Sequence, residues 1–227
     1  MSRKPRLLDL FCGAGGAAMG YARAGFEVVG VDIKAQPRYP FEFHQADAMI
    51  FPLEGFDAIH ASPPCQAYSA LRRLGKQGHV ARYYLVEPTR LRLWGTDLPY
   101  VIENVVGAPL HAPIRLCGSS FGLNVQRHRL FETNFLLLAP PCQHNKESIG
   151  VYGDHPQISK GMNRARNLRE AQEAMGIKWM EWRELCEAIP PDYTQWIGEH
   201  LLAKIRTHDR HRCQSSRSRC GSSMFTA

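Results

Sequence analysis

The segment from Leu7 to Asp32 constrains the fold most, because it has the pattern of one strand–turn–helix–strand unit. Leu7 to Phe11 is an apolar run typical of a buried strand, and Cys12 to Gly16 is a glycine-rich turn. Ala17 to Gly25 has helical composition and ends on a glycine suited to a helix C-cap. Glu27 to Asp32 is a second strand that ends in a carboxylate, about twenty residues beyond the glycines, as in nucleotide-type cofactor sites.

The rest of the chain continues this alternation. Further strands are predicted near Phe43, at 56–61, at 100–102 and at 134–139, and helices at 81–94, 168–175, 182–188 and 193–205. Strands that alternate with helices predict an α/β fold with a doubly wound, mostly parallel sheet. The Ser- and Arg-rich residues 207–227 bury nothing in this pattern and are expected to be disordered.

Composition limits the cellular compartments and the partners that fit the protein. A chain of 227 residues with 44% hydrophobic content is long enough for one buried core, and no apolar run reaches membrane-spanning length. Seven cysteines, an odd number without a signal peptide, favour a reduced, cytoplasmic setting. The net charge of +7 is compatible with nucleic acid as a partner, and nothing in the chain requires a protein partner.

One motif places a thiol at the end of a strand. Phe56 to Ala61 predicts a strand, and Ser62-Pro63-Pro64-Cys65-Gln66 follows it. The two prolines end the strand and hold Cys65 at the edge of the sheet, where ligands of open α/β proteins bind. A buried structural thiol is the common alternative. Nearby arginine charge and a helix N-terminus are expected to favour the thiolate form of Cys65.

Other polar residues follow the remaining strands. Glu103 comes after Tyr100 to Ile102, where burial would raise the pKa of its carboxyl and let it act as a proton donor. Arg127 and Arg129 are two apart in an extended segment and so share one face, from which they could hold a base or a carboxylate. We expect Cys65, Glu103, Arg127 and Arg129 to be catalytic.

The glycine turn and the carboxylates at the ends of later strands predict a cofactor-binding site. Phe11 can stack on a flat ring, Asp32 can accept hydrogen bonds from ribose hydroxyls, and Asp47 can accept one from an exocyclic amine. No metal site is predicted, since the spacing of Cys117, Cys142 and His144 matches no close-paired zinc pattern.

Taken in order, these residues resemble the DNA cytosine-5 methyltransferase family. The resemblance spans residues 6–131 and resumes more weakly at 168–171 and 188–202. It depends on the run Asp9 to Gly16, Asp32, Asp47, Pro63-Pro64-Cys65-Gln66, Glu103-Asn104-Val105 and Arg127-His128-Arg129.

The resemblance implies S-adenosylmethionine as cofactor and cytosine in double-stranded DNA, flipped out of the stack, as substrate. Cys65 would add to C6 of the base, Glu103 would act at N3, and Arg127 and Arg129 would hold the base. The residues implied to contact the cofactor are Phe11, Gly13, Ala14, Gly15, Gly16, Asp32, Ile33, Asp47, Ala48 and Pro64.

The chain departs from the family pattern in three places. Val125 stands where the family usually has Gln, and Glu187 where it usually has Asn. The region for target recognition, Glu132 to Asn167, has only 36 residues. We therefore expect a core over 1–131, a short recognition insertion over 132–167 and helices over 168–206 that return to the core. A short or degenerate recognition sequence follows, as in compact phage enzymes, with contacts from His144, Lys146, Lys160, Asn163, Arg164 and Arg166.

Three other functions remain open from the sequence. The same site chemistry would serve a tRNA cytosine-5 methyltransferase. A DNA-binding module that kept the fold without turnover would share the glycine turn, although an intact set of Cys65, Glu103 and Arg129 weighs against it. A nicotinamide-dependent oxidoreductase would share the turn but gives no reason for Pro-Pro-Cys.

Overall fold

The computed structural model of the chain describes residues 3–66, 68, 84–144, 148–153 and 164–206, and the helical backbone on to Cys220. Its strands are β1 (Arg6–Leu10), β2 (Glu27–Asp32), β3 (Glu42–Gln45), β4 (Ala58–Ala61), β5 (Tyr100–Asn104), β6 (Ile114–Leu116) and β7 (Arg129–Thr133). Its helices are α1 (Gly16–Ala24), α2 (Val86–Trp94), α3 (Leu168–Met175), α4 (Trp182–Glu187) and α5 (Pro191–Cys220).

The seven strands form one sheet in the order β3-β2-β1-β4-β5-β7-β6. The five strands β1 to β5 run parallel, and β7 is antiparallel to both of its neighbours, β5 and β6. The mostly parallel, doubly wound sheet predicted from the sequence is confirmed. The reversal of β7 has one consequence for function: the start of β7 lies at the same sheet edge as the carboxyl ends of the parallel strands.

Helices cover both faces of the sheet, because successive side chains of a buried strand point to opposite sides. On one face, α1 and α5 pack against side chains such as Leu7 and Val101. On the other face, Leu93 of α2 packs with Leu8 and Ile102. The helices α3 and α4 form a smaller cluster around Met175 and Leu185.

The structure corrects two predictions about secondary structure. Asn134 to Ala139 is not a strand: Asn134 bonds through its side chain to the backbone of Leu98 and Tyr100, and Leu136 and Leu138 are exposed. The backbone of 207–220 is helical rather than disordered, because neither proline nor glycine interrupts α5 between Gly198 and Gly221. Residues 221–227, like 81–83 of the predicted helix 81–94, lie outside the described residues.

Among the described residues, no helix has both the length and the apolar character that a membrane span needs.

Candidate active site

The candidate site lies at the edge where β4 and β5 end and β7 begins. Glu103 is near the end of β5 and opposes Phe131 of β7 in the ladder, so Arg129, two residues before Phe131, reaches the same edge. The Nε atom of Arg129 lies 3.2 Å from Oε1 of Glu103. Both side chains are largely withdrawn from solvent, at 15% and 8% exposure. The reversed strand thus supplies a cation to a carboxylate on a parallel strand.

The loop that carries Cys65 is tied to the same edge. β4 ends at Ala61, as the prolines predict, and the Asn104 side chain donates a 2.8 Å hydrogen bond to the carbonyl of Pro63. The backbone N–H of Tyr68 donates to the carbonyl of Cys65 at 2.9 Å, which closes a turn around the thiol. Cys65 is half-buried. Hydrogen bonds on both sides of Cys65 therefore fix its position.

Burial raises the pKa of the Glu103 carboxyl, as predicted. The surrounding protein encloses the carboxyl, and this desolvation outweighs the opposing effects of Arg129, of a hydrogen bond from Ser62 and of Arg127. A carboxyl whose acid form is favoured in this way can donate a proton near neutral pH.

The expectation that the surroundings favour the Cys65 thiolate is corrected. Burial and the charge of Glu103 raise the pKa of the Cys65 thiol, and the lowering effect of Arg129 does not overcome them. Glu187, the residue that departs from the family pattern, adds a further raising effect from the end of α4. The surroundings of Cys65 therefore oppose formation of its thiolate.

Arg127 has a different place from the one predicted. Its backbone has a positive φ of 38°, which turns the side chain away from the Arg129 face. Its guanidinium donates to the carbonyls of Ala188 at 2.8 Å, Cys186 at 2.7 Å and Val151 at 3.1 Å. Burial, and then the charge of Arg129, lower the pKa of Arg127 to about 9. These bonds tie the guanidinium to Val151 and to the end of α4, and it is Arg129 that forms the ion pair with Glu103.

A buried hydrogen-bonded chain behind Glu103 was not predicted. The Tyr21 hydroxyl lies 2.9 Å from Nδ1 of His60, and Nε2 of His60 lies 2.9 Å from Oγ of Ser62, which in turn bonds Glu103. Burial lowers the pKa of His60 to about 3, so the ring is neutral. If Tyr21 donates to His60, His60 to Ser62 and Ser62 to Glu103, every atom is satisfied. In the sequence, the signal for this hydrogen-bonded chain is His60, a histidine within the apolar strand before Ser62.

The glycine turn leaves free space on one side, next to the start of α1. Gly13 and Gly15 have positive φ angles of 49° and 84°, which glycine adopts without strain. A side chain added at Gly13 would meet no atom within 4 Å, so this part of the turn faces free space. The Asp32 carboxylate accepts from the backbone N–H of Gly13 at 3.0 Å and of Lys34 at 2.9 Å. The indole N–H of Trp179 donates to the Ala14 carbonyl at 2.9 Å and holds the turn from the other side.

The other predicted cofactor residues lie at the ends of neighbouring strands. Phe11 follows β1 with a positive φ of 57° and is partly exposed, and Ile33 follows β2 with 63% of its surface exposed. Asp47 is exposed after β3, and its carboxylate accepts from the N–H of Met49 at 2.8 Å. Ala48 is buried beside it, whereas Pro64 follows β4 next to Cys65. Gly16 is buried at the start of α1, against Ile189.

The predicted recognition contacts are described only in part. Lys146, Lys160 and Asn163 lie outside the described residues. The guanidinium of Arg164 lies over the Tyr152 ring, 4.5 Å from its centroid, and Arg166 forms an ion pair with Glu170.

Comparison with solved structures establishes the fold of the chain. The chain has the fold of a DNA modification methyltransferase assigned in an E. coli prophage, at a TM-score of 0.55 and 16% identity over 89% of this chain and 99% of the other. It is also similar to the Dnmt2 methyltransferase of S. pombe, at 0.61 and 14% over 89% and 99%. The methyltransferase EhMeth of Entamoeba histolytica gives 0.59 and 12% over 90% and 99%. The protein therefore has the fold of S-adenosylmethionine-dependent methyltransferases.

The family model named C-5 cytosine-specific DNA methylase matches residues 5–86, the segment with the glycine turn and Cys65. Glu103 and Arg129 follow that segment. No curated protein matches the sequence significantly. Residues 5–86 are therefore similar to this family, and the chain as a whole has the fold of the methyltransferases named above.

Proposed function

We propose that the protein methylates C5 of cytosine in double-stranded DNA through a covalent bond between Cys65 and C6 of the base. One observation carries this proposal: the hydrogen-bonded Cys65 loop and the buried Glu103–Arg129 pair meet at one edge of the sheet. A nucleophile and an acid that act on opposite edges of one ring have to be held in this way, because reacting atoms must approach within about 3–3.5 Å.

Each residue then has a definite step. Cys65 loses its proton to solvent and its sulfur adds to C6, while Glu103 donates a proton to N3 and the electron pair moves to C5. S-adenosylmethionine, when bound, supplies the electrophilic methyl group that the activated C5 accepts. Loss of the C5 proton to a base then expels the Cys65 sulfur, and N3 returns its proton to Glu103. Arg129 keeps Glu103 in place and offsets charge on the ring.

The electrostatics of the site link these proton movements. The negative charge of Glu103 raises the pKa of the Cys65 thiol. Once Glu103 holds its proton, its raising effect on the thiol pKa is removed, and the lowering effect of Arg129 is opposed only by burial and by the smaller effect of Glu187. Protonation of the acid thus makes the thiolate easier to form, so the two groups are ready for reaction in the same state.

The residues around the glycine turn fit the proposed cofactor. Free space beside Gly13 and backbone N–H groups near the start of α1 suit the amino-acid end of S-adenosylmethionine. The second lone pairs of the Asp32 oxygens can accept from ribose hydroxyls, and the exposed Asp47 carboxylate can accept from the adenine amine. Phe11 and Ile33 offer apolar surface for the adenine ring.

Target selection rests with a short segment. The target base has to leave the stack, at a cost of a few kcal/mol, before Cys65 reaches it. Base discrimination arises from contacts worth about 1–3 kcal/mol each, and the 36 residues of 132–167 provide few of them. We therefore infer a short or degenerate recognition sequence.

A duplex containing 5-fluorocytosine tests the covalent step, since fluorine in place of the C5 proton blocks release of the sulfur. The wild-type protein with S-adenosylmethionine should yield a protein–DNA adduct that survives denaturing electrophoresis. Cys65→Ser should give none, whereas Cys186→Ser, a second partly buried cysteine outside the site, should give the wild-type yield. An adduct formed by Cys65→Ser would refute the mechanism.

Labelled S-adenosylmethionine tests the substrate. Transfer to duplex DNA but not to tRNA is expected, and transfer to tRNA alone would replace DNA by RNA in the proposal. Bisulfite sequencing of the methylated DNA then reports the recognition sequence.

A further inference from the structure

Four side chains that the proposed chemistry does not use lie together beside β6 and β7. They are two thiols and two imidazoles: Cys117, His128, Cys142 and His144. Each offers one ligand atom, and the four atoms all lie within 4.8 Å of one another. No other group of three or more such side chains forms a possible metal site in the part of the chain that the structure describes. The sequence spacing alone had argued against a metal, and it had not included His128.

Three of the six distances between these atoms match the edges of a coordination tetrahedron. Zinc bonds of about 2.3 Å to sulfur and 2.0–2.1 Å to nitrogen place neighbouring S and N ligands about 3.6 Å apart and two N ligands about 3.3 Å apart. The Sγ of Cys117 lies 3.4 Å from Nε2 of His144, and the Sγ of Cys142 lies 3.6 Å from Nε2 of His128. The two Nε2 atoms are 3.1 Å apart. All three distances fall within about 0.3 Å of a closed tetrahedral site.

The fold explains how residues so far apart in sequence meet. Leu116 of β6 pairs with Arg129 of β7, so Cys117 and His128 are the next pair beyond the end of that ladder. Cys142 and His144 come from the loop after β7 and have one residue between them. Two serines of the 3₁₀ helix Gly118–Phe121 hold this loop: Ser120 Oγ donates to the Pro141 carbonyl at 2.8 Å, and Ser119 Oγ accepts from the Gln143 N–H at 3.1 Å.

We propose that Cys117, His128, Cys142 and His144 bind one Zn²⁺ ion in a tetrahedral site. Two thiolates and two imidazoles are the ligand set that selects zinc among the common cellular divalent ions, whereas calcium and magnesium need oxygen ligands. Four protein ligands leave no open coordination position, so the ion is structural and takes no part in methyl transfer. Cys117 is fully buried and His144 exposed, which places the ion just beneath the surface.

The ion would stabilise a short recognition segment whose described residues have little secondary structure. Between Thr133 and Asn167 the described residues contain one isolated bridge, Gly150 to Arg164, and no helix or strand. Zinc would fasten the start of this segment to the edge of the sheet through two bonds. This role rests on the proposed function of the segment, but the binding of zinc does not.

Metal content measures the proposal directly. The full-length protein, purified without chelators and dialysed, is expected to contain about one zinc per chain when measured by inductively coupled plasma mass spectrometry. Replacement with Co²⁺ should give the visible bands of tetrahedral cobalt together with thiolate-to-cobalt charge transfer.

Two ligand variants with matched controls assign the site. Loss of one hydrogen-bond partner behind a zinc ligand weakens binding by about 10–100-fold, so Cys142→Ser and His144→Ala should lose at least that much affinity. Cys186→Ser and His111→Ala, a cysteine and a histidine outside the cluster, should keep the metal and the cobalt spectrum.

Three results would overturn the inference. The first is a protein without zinc that fails to take up Co²⁺. The second is a disulfide between Cys117 and Cys142 in the native protein, detected by thiol titration. The third is an unchanged cobalt spectrum in both ligand variants. None of these results depends on methyl transfer, so the zinc site and the proposed reaction fail or stand separately.

Discussion

The variant Arg127→Met distinguishes a structural arginine from a catalytic one. The Arg127 guanidinium donates to three backbone carbonyls, those of Ala188, Cys186 and Val151. Hydrogen bonds to a charged group contribute about 1.5–3 kcal/mol each, but the three are not additive, and methionine avoids the cost of burying a cation. We expect the free energy of unfolding to fall by about 3–5 kcal/mol, because each buried carbonyl left without a donor costs about 1–3 kcal/mol.

Urea denaturation measures this loss as a lower midpoint at unchanged slope. Arg115→Met, at an exposed position of β6, is the stability control and should stay within about 0.5 kcal/mol of the wild type. Arg129→Met is the activity control, because it removes the cation beside Glu103. If Arg127→Met keeps wild-type stability but abolishes methyl transfer, Arg127 contacts the substrate and the structural role is refuted.

Three further outcomes are expected. Glu103→Gln should slow methyl transfer by about 10²-fold or more. In the wild type, the rate should fall as pH rises through the raised pKa of Glu103, and the same fall in the Glu103→Gln variant would contradict the role of Glu103 as the acid. Arg90→Met should lower the free energy of unfolding in urea by about 3–5 kcal/mol, since it leaves the buried Glu132 carboxylate without its cation, and adding Glu132→Leu should restore most of it. Asp9 is buried with neither oxygen bonded, and burial raises its pKa well above normal. Because the pKa of Asp9 is raised in the folded protein, its contribution to the free energy of unfolding is fully present below about pH 4 and falls by up to about 1.4 kcal/mol for each pH unit above that. The stability that Asp9→Asn adds, measured by denaturation at about pH 4–8, should therefore grow with pH by the same amount.

Local patterns predicted the parallel part of the sheet well. β2 spans Glu27–Asp32 and α3 spans Leu168–Met175, as the sequence indicated, because apolar runs and glycine or asparagine caps mark these elements directly. Asn167 caps α3 by accepting from the Glu170 N–H, and Gly176 ends it. The carboxyl ends of parallel strands meet at one edge, so the positions of Cys65 and Glu103 also followed from sequence.

The features that the sequence did not predict depend on contacts between residues far apart in the chain. Exposure alternates from Leu136 to Leu138 as it would in a strand, yet this segment pairs with no strand among the described residues, and the Asn134 side chain bonds the backbone at the start of β5 instead. Nothing local distinguishes Arg127 from Arg129; the positive φ of Arg127 and its bonds to residues about sixty positions away separate them. The cysteine–histidine cluster likewise required the pairing of β6 with β7, which no spacing rule contains.

Helix α1, near the N-terminus, packs against the start of α5, near the C-terminus, and this contact affects how the chain folds during synthesis. Gly16 and Gly20 lie so close to the backbone at Ile189 and Pro191 that a side chain at either glycine would collide with it, and Thr194 donates a hydrogen bond to the Ala17 carbonyl. The ribosome makes α1 long before α5, so the apolar face of α1 has to wait for its cover until nearly the whole polypeptide has emerged. A nascent chain stalled before residue 189 would therefore expose that face and be a substrate for chaperones or proteases.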